Sequence, residues 1–172
     1  MLNRTIGALV TLCLIASTAS ADTAEITRSI TDIAAGADRG EWDRVRDAFA
    51  PNITTDYTSL WGGDPVKQPA EDLVKSWSNF LPGFDATHHM VTNHAIQMRD
   101  NGTATAEADF VATHRIGDRF WVLGGRYTYQ LVITDEGRWV INALTMTAVW
   151  ETGDRSLVQR AAERAAQRSS SE

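Results

Sequence analysis

The chain has 172 residues, 16 Lys and Arg against 22 Asp and Glu, a formal net charge of −6 and one cysteine. An acidic chain without a basic stripe is a poor nucleic-acid binder, and a single thiol excludes both a disulfide framework and Cys-ligated metal sites. Six Trp, five Phe and three Tyr, all after residue 21, supply enough bulky apolar area for one domain with its own core.

The first residues read as a secretory leader. Met1-Leu2-Asn3-Arg4 carries one positive charge, Ile6 to Ala16 is an apolar run too short to span a bilayer, and Ala19-Ser20-Ala21 is a small-x-small cleavage sequence. Removal of residues 1–21 and a periplasmic or secreted protein are expected. Cys13 follows Leu12, where a lipoprotein signal wants a small residue, so no lipid or membrane anchor is expected.

Ile26, Ile30, Ile33 and Ala34 recur at helical spacing and predict a helix from Thr23 that ends near Asp38, between Gly36 and Gly40. Trp42, Val45, Arg46 and Phe49 predict a second, stopped by Pro51-Asn52. Ile53 to Leu60 reads as extended and Gly62-Gly63-Asp64-Pro65 as a loop. Pro69, followed by Glu71 and Asp72, starts a third helix that reaches about Leu81. Long strands follow: His88 to Arg99, Thr103 to Arg115, Phe120 to Thr134 and Trp139 to Trp150, separated by turn sequences such as Asp100-Asn101-Gly102. Three helices and then a meander predict an α+β domain over residues 22–153, its antiparallel sheet packed on the helices. Asp154 to Glu172, rich in Ala and Arg, reads as a frayed, loosely attached helix ending in disorder.

Strand phase picks out polar residues that face inward. In Thr103 to His114 the even positions are Ala104, Ala106, Ala108, Phe110, Ala112 and His114, an apolar face whose small residues leave room for a cavity and whose last member is a histidine. Three of the four histidines cluster in Thr87 to His94, and imidazole is the side chain best suited to proton transfer near neutral pH. Strict alternation groups His88 with Met90, Ile96 and Met98; a bulge near Thr92-Asn93 would bring His89 inward instead. Periodicity does not choose between them. His88 and His89 point to opposite faces and His94 lies further along, so no metal site is expected. Arg126, Thr128 and Gln130 share one face of their strand against Tyr127, Tyr129, Leu131 and Ile133. Asp56 to Trp61 joins a phenol to a large aromatic just before the Gly-Gly loop, a combination suited to a pocket rim.

Four segments carry a resemblance: Ala37-Asp38-Arg39-Gly40-Glu41-Trp42, Asp56-Tyr57-Thr58-Ser59-Leu60, Thr87-His88-His89-Met90-Val91 and Ala112-Thr113-His114. Their order and spacing resemble the SnoaL-like, scytalone-dehydratase-like branch of the nuclear-transport-factor-2-like superfamily, over Asp22 to Gly153. The resemblance implies a cone: a strongly curved sheet, antiparallel or mixed, around a deep pocket closed by about three N-terminal helices. It also implies a dyad in which His89 is the base and Asp38 holds its tautomer. Tyr57 would polarise a substrate carbonyl, directly or through water, and His114 would help a hydroxyl leave. Pocket walls are expected from Trp61, Phe80, Phe84, Ala112 and Met146, with Arg126 and Thr128 in place of the family's polar pair.

The sequence also departs from that pattern. Scytalone dehydratase has a second tyrosine where this chain has Ala37, so its two-phenol clamp on a water is missing, and the arginine of related dehydrochlorinases falls near Leu144. The expected function is a lyase or isomerase that needs neither metal nor organic cofactor and acts on a small, largely apolar carbonyl or hydroxy compound. The alternatives are a protein that only binds a hydrophobic ligand, and an interaction module forming a homodimer or homotrimer.

Overall fold

The computed structural model describes residues 5–169. The first helix, α1, spans Thr5–Arg39 and buries Ile26, Ile30, Ile33 and Ala37 on one face. It starts well before Thr23. Met1 to Arg4, the charged start of the expected leader, lie outside the described residues. No helix among the described residues is long and apolar enough to cross a membrane. Gly40, at φ 69°, ends α1 in a Schellman motif: its N–H bonds Ala37 O at 3.3 Å, and Glu41 N–H bonds Gly36 O at 2.9 Å. This stop fixes Asp38 in the last helical turn.

The second helix is shorter than its pattern suggested. α2 covers Trp42–Asp47, and Phe49 instead opens strand β1, Phe49–Asp56. Phe49 pairs with Ile141 and Thr54 with Ala143, and Pro51 falls in the irregular stretch between, where a missing N–H breaks no regular ladder. The extended reading of Ile53 to Leu60 holds only as far as Asp56. Its carboxylate accepts the Thr58 N–H at 3.0 Å and the Thr58 hydroxyl at 2.7 Å, which turns the chain into the single-turn helix α3, Thr58–Trp61. An unanticipated edge strand, β2, Val66–Pro69, precedes α4, Ala70–Phe80.

Four long strands follow: β3 Ala86–Arg99, β4 Thr103–Ile116, β5 Arg119–Ile133 and β6 Trp139–Gly153. The sheet order is β2-β1-β6-β5-β4-β3, and β1–β6 is its one parallel pair, so the α+β sheet is mixed. Bulges bend it. The β5–β6 register slips between Gly124 and Gly125 and again between Gln130 and Leu131, while β3 bulges between Thr92 and Ala95. At Gly125 a Cβ would lie 2.0 Å from Thr147 O, so only glycine permits that approach. Most of the alanine row on β4 is not a cavity wall: Ala104, Ala106 and Ala108 are packed in the same core cluster as Ile26, Ile30 and Ile33 of α1.

The C-terminal helix differs most from its sequence reading. α5, Leu157–Ser169, buries Leu157, Ala161 and Ala165. Its backbone lies so close to the 3-10 turn Leu81–Gly83 that a Cβ on Gly83 would be 2.0 Å from Ala161 O. Arg164 pairs with Asp85 at 2.7 Å, and Arg168 donates to Pro82 O. Small residues at four-residue spacing form the docking face; a count of large apolar residues undervalues it. The expected disorder beyond Ser169 lies outside the described residues.

Candidate active site

A cavity of about 440 Å³ lies between α1, α3, α4 and the inner face of β3–β6. Its wall is apolar and strongly aromatic, with Trp61, Trp77, Phe80, Phe110 and Trp121, and its polar side chains are His89, His114, Tyr57, Tyr127 and Ser76. None of the described residues that line it is Lys, Arg, Asp or Glu.

Asp38 stands behind His89. Its Oδ1 meets His89 Nδ1 at 2.7 Å and accepts the Thr87 hydroxyl at 2.8 Å, while Oδ2 accepts the His89 backbone N–H at 2.7 Å. Burial favours the neutral acid, but the His89 ring bond and charge, the backbone N–H and the Thr87 hydroxyl outweigh it, so the Asp38 pKa lies below the usual carboxylate value. An ionised carboxylate only accepts, which places the imidazole proton on Nδ1 and the lone pair on Nε2. The Asp38 and His89 side chains are 11% and 17% exposed, so water competes little for the pair.

The β3 bulge selects His89. His89 is opposite Ala112 and Val91 opposite Phe110, both on the inner face of β4; after the slip, Ile96 is opposite Ala106 and Met98 opposite Ala104. Asn93, at φ 55°, takes up the extra residue. His88 points outward opposite Thr113, and His94 sits in the bulge with Nε2 buried and unpartnered among the described residues, its pKa lowered by burial. No group of three or more His, Cys, Asp or Glu among the described residues is placed to hold a metal.

His114 is 4% exposed, with its ring 5.4 Å from that of His89 and edge-on to it. Burial, reinforced by the His89 charge, pushes its pKa down to about 4. Its Nδ1 lies 3.4 Å from Trp121 O, and the carbonyl can only accept, so neutral His114 keeps its proton there and Nε2 is an acceptor. Burial, and then the neighbouring Tyr127 phenol, raise the Tyr57 pKa well above its ordinary value, leaving a neutral hydrogen-bond donor.

Trp61, Phe80, Ala112 and Met146 line the cavity as expected. Phe84 does not: it is buried behind His114, ring centroids 4.9 Å apart. Arg126 and Thr128 are also misplaced by the sequence reading. They lie opposite Asp109 and Glu107 on the outer face, where the exposed Arg126 is 3.9 Å from Asp109. The inner face of β5 belongs to Trp121, Leu123 and Tyr127, in phase with buried Tyr129 and Leu131. That odd-numbered alternation was the available signal for Trp121 and Tyr127. Leu144, where dehydrochlorinases would have their arginine, is part of the apolar wall.

A family model described as a SnoaL-like domain matches residues 18–145. The chain belongs to the SnoaL-like family. Among solved structures, this SnoaL-like protein is similar to the Kfla4162 protein of Kribbella flavida, with 28% identity and a TM-score of 0.76 over 82% of this chain and 99% of that one. It is similar in fold to a putative scytalone dehydratase of Novosphingobium aromaticivorans, with 18% identity and a TM-score of 0.70 over 81% and 92% of the two chains. The LinA-type3 hexachlorocyclohexane dehydrochlorinase of Novosphingobium barchaimii shares the fold at 19% identity and a TM-score of 0.64, over 78% and 91%. No curated protein matches the sequence.

Proposed function

We propose that this SnoaL-like protein is a lyase or isomerase that removes a proton from carbon next to a carbonyl group in a small, neutral, mostly apolar compound. The reading is carried by the 2.7 Å His89 Nδ1–Asp38 Oδ1 bond, which leaves a basic Nε2 on a largely apolar cavity. His89 Nε2 takes the α-proton and Asp38 stabilises the imidazolium. Tyr57 donates to the oxygen on which the enolate charge collects. The Nε2–H of His89 then returns the proton, to a departing β-hydroxyl, which leaves as water, or to another carbon, which gives the isomer. Neutral His114 has no proton to give from Nε2, so its part is to accept a hydrogen bond from the substrate hydroxyl and orient it.

The reading is tested with a panel of neutral carbonyl and hydroxy ring compounds. His89→Ala should abolish turnover of any substrate found while keeping its binding within about tenfold. Compounds bound equally well and consumed by neither protein would leave a ligand-binding protein without catalysis.

Two further properties belong to the same proposal. The leader-like residues 1–21 support export to the periplasm or medium, checked by N-terminal sequencing of the protein from its own host. A row of register partners, Met90, Val111, Gly124 and Trp150, crosses the outer face of the sheet, and Met90 and Trp150 are 51% and 45% exposed. That apolar row favours a homodimer or homotrimer, which light scattering at micromolar concentration would distinguish from a monomer.

A further inference from the structure

Tyr127 has no part in the reaction above, yet its ring is firmly held. It lies opposite Ala108, which offers no bulk to displace it. Phe110 stacks on it, with centroids 4.2 Å apart and planes at 23°, and Tyr129 tilts against it at 5.7 Å. These aromatic contacts hold the ring in the cavity wall and leave the hydroxyl as its polar tip. No described residue hydrogen-bonds the hydroxyl of Tyr127 or of Tyr57.

Tyr57 and Tyr127 line the same cavity and pack against the same core clusters, and Tyr127 adds to the effect of burial in raising the Tyr57 pKa. Burial, and then the Asp38 carboxylate, likewise raise Tyr127, so it stays a neutral donor at any working pH. Two phenol donors without acceptors among the described residues, beside a base in the same cavity, are suited to one ligand oxygen. With no Lys or Arg among the described residues that line the cavity, a carboxylate or phosphate is disfavoured there, and the flat walls of Trp61, Trp77 and Trp121 suit a ring.

We infer that Tyr127 is a second donor, beside Tyr57, to the oxygen of a neutral ring compound, and that this pair selects ligands by that oxygen. The inference rests on the role proposed for Tyr57. The second phenol comes from β5, not from position 37, where Ala37 ends the same cavity wall.

Binding of 2-naphthol and of 2-methylnaphthalene, followed by fluorescence, separates the hydroxyl from the packing of the ring. Tyr127→Phe should weaken 2-naphthol about tenfold, in line with one lost hydrogen bond, and leave 2-methylnaphthalene within about twofold. Tyr57→Phe should show the same selective loss. Equal effects of Tyr127→Phe on both compounds, or none on either, would overturn the inference. If Tyr57→Phe alone weakens 2-naphthol selectively, Tyr127 is excluded and the Tyr57 role stands. If neither variant does, or neither compound binds at millimolar concentration, both fail.

Discussion

Asp38 binds His89 twice, through the ring at 2.7 Å and through the backbone N–H at 2.7 Å, from the last turn of α1. A helix C-terminus is an unfavourable place for a carboxylate, because the unpaired carbonyls there carry partial negative charge. Three donors, two from His89 and one from Thr87, offset that cost and tie helix to strand. Asp38→Asn should therefore reduce kcat by roughly 10²–10⁴-fold, the usual range for a positioned base, with KM little changed. A rise in KM with kcat unchanged would assign Asp38 to ligand binding alone.

His114 makes stability depend on pH. Its folded pKa is about 4 against an ordinary 6.5, so between those values the unfolded chain holds a proton that the folded chain does not. Stability is then full above about 6.5 and falls as the pH drops toward 4, by a total on the order of 3 kcal/mol. Denaturant unfolding of wild type and His114→Gln at several values in this window should show a clearly shallower slope for the variant. Parallel slopes would place the buried proton elsewhere. Asp38 acts lower: its depressed pKa adds stability that is present above its ordinary value of 3.8 and lost as the pH falls through its folded pKa.

The docking of α5 depends on Gly83. Any side chain there meets Ala161 O, so Gly83→Ala should destabilise the fold by about 1–3 kcal/mol, as overpacking does. It should also speed amide exchange in Leu157–Ser169 more than in β4. Unchanged protection of α5 would mean the helix is held without this contact.

The two misplaced candidates give a control. Arg126 is 60% exposed on the outer face and its ion pair with Asp109 is long and solvated, so Arg126→Ala and Thr128→Ala should each leave turnover unchanged and stability within about 0.5 kcal/mol. Lost turnover in either would put the working face of β5 on the wrong side.

Local chemistry made much of this fold readable. Turn sequences delimit all four long strands, and the glycines about Asp38 mark the end of α1. What failed was local pattern overruled by distant contact. Phe49 fits a helix, yet its strand partner Ile141 lies far along the chain. Leu157, Ala161 and Ala165 look weak until Gly83 lets them approach. In the site, Asp38, His89, Tyr57 and His114 were legible through resemblance, and the phase of His89 depended on a bulge whose presence alternation could suggest but not decide. Tyr127 shares its strand face with apolar residues, so polarity alone points instead to Arg126 and Thr128 on the opposite face of the same strand.

The central claim, that His89 paired with Asp38 removes a carbon-bound proton, is tested most directly by α-proton exchange. 2-Tetralone, a neutral bicyclic ketone of a size the cavity accepts, is incubated with the protein in D2O and its α-protons are followed by NMR. Wild type should accelerate exchange over buffer, and His89→Ala should lower that rate by about 10²-fold or more while still binding the ketone. Exchange at the buffer rate with wild type, despite demonstrated binding, or equal acceleration by His89→Ala, would contradict it.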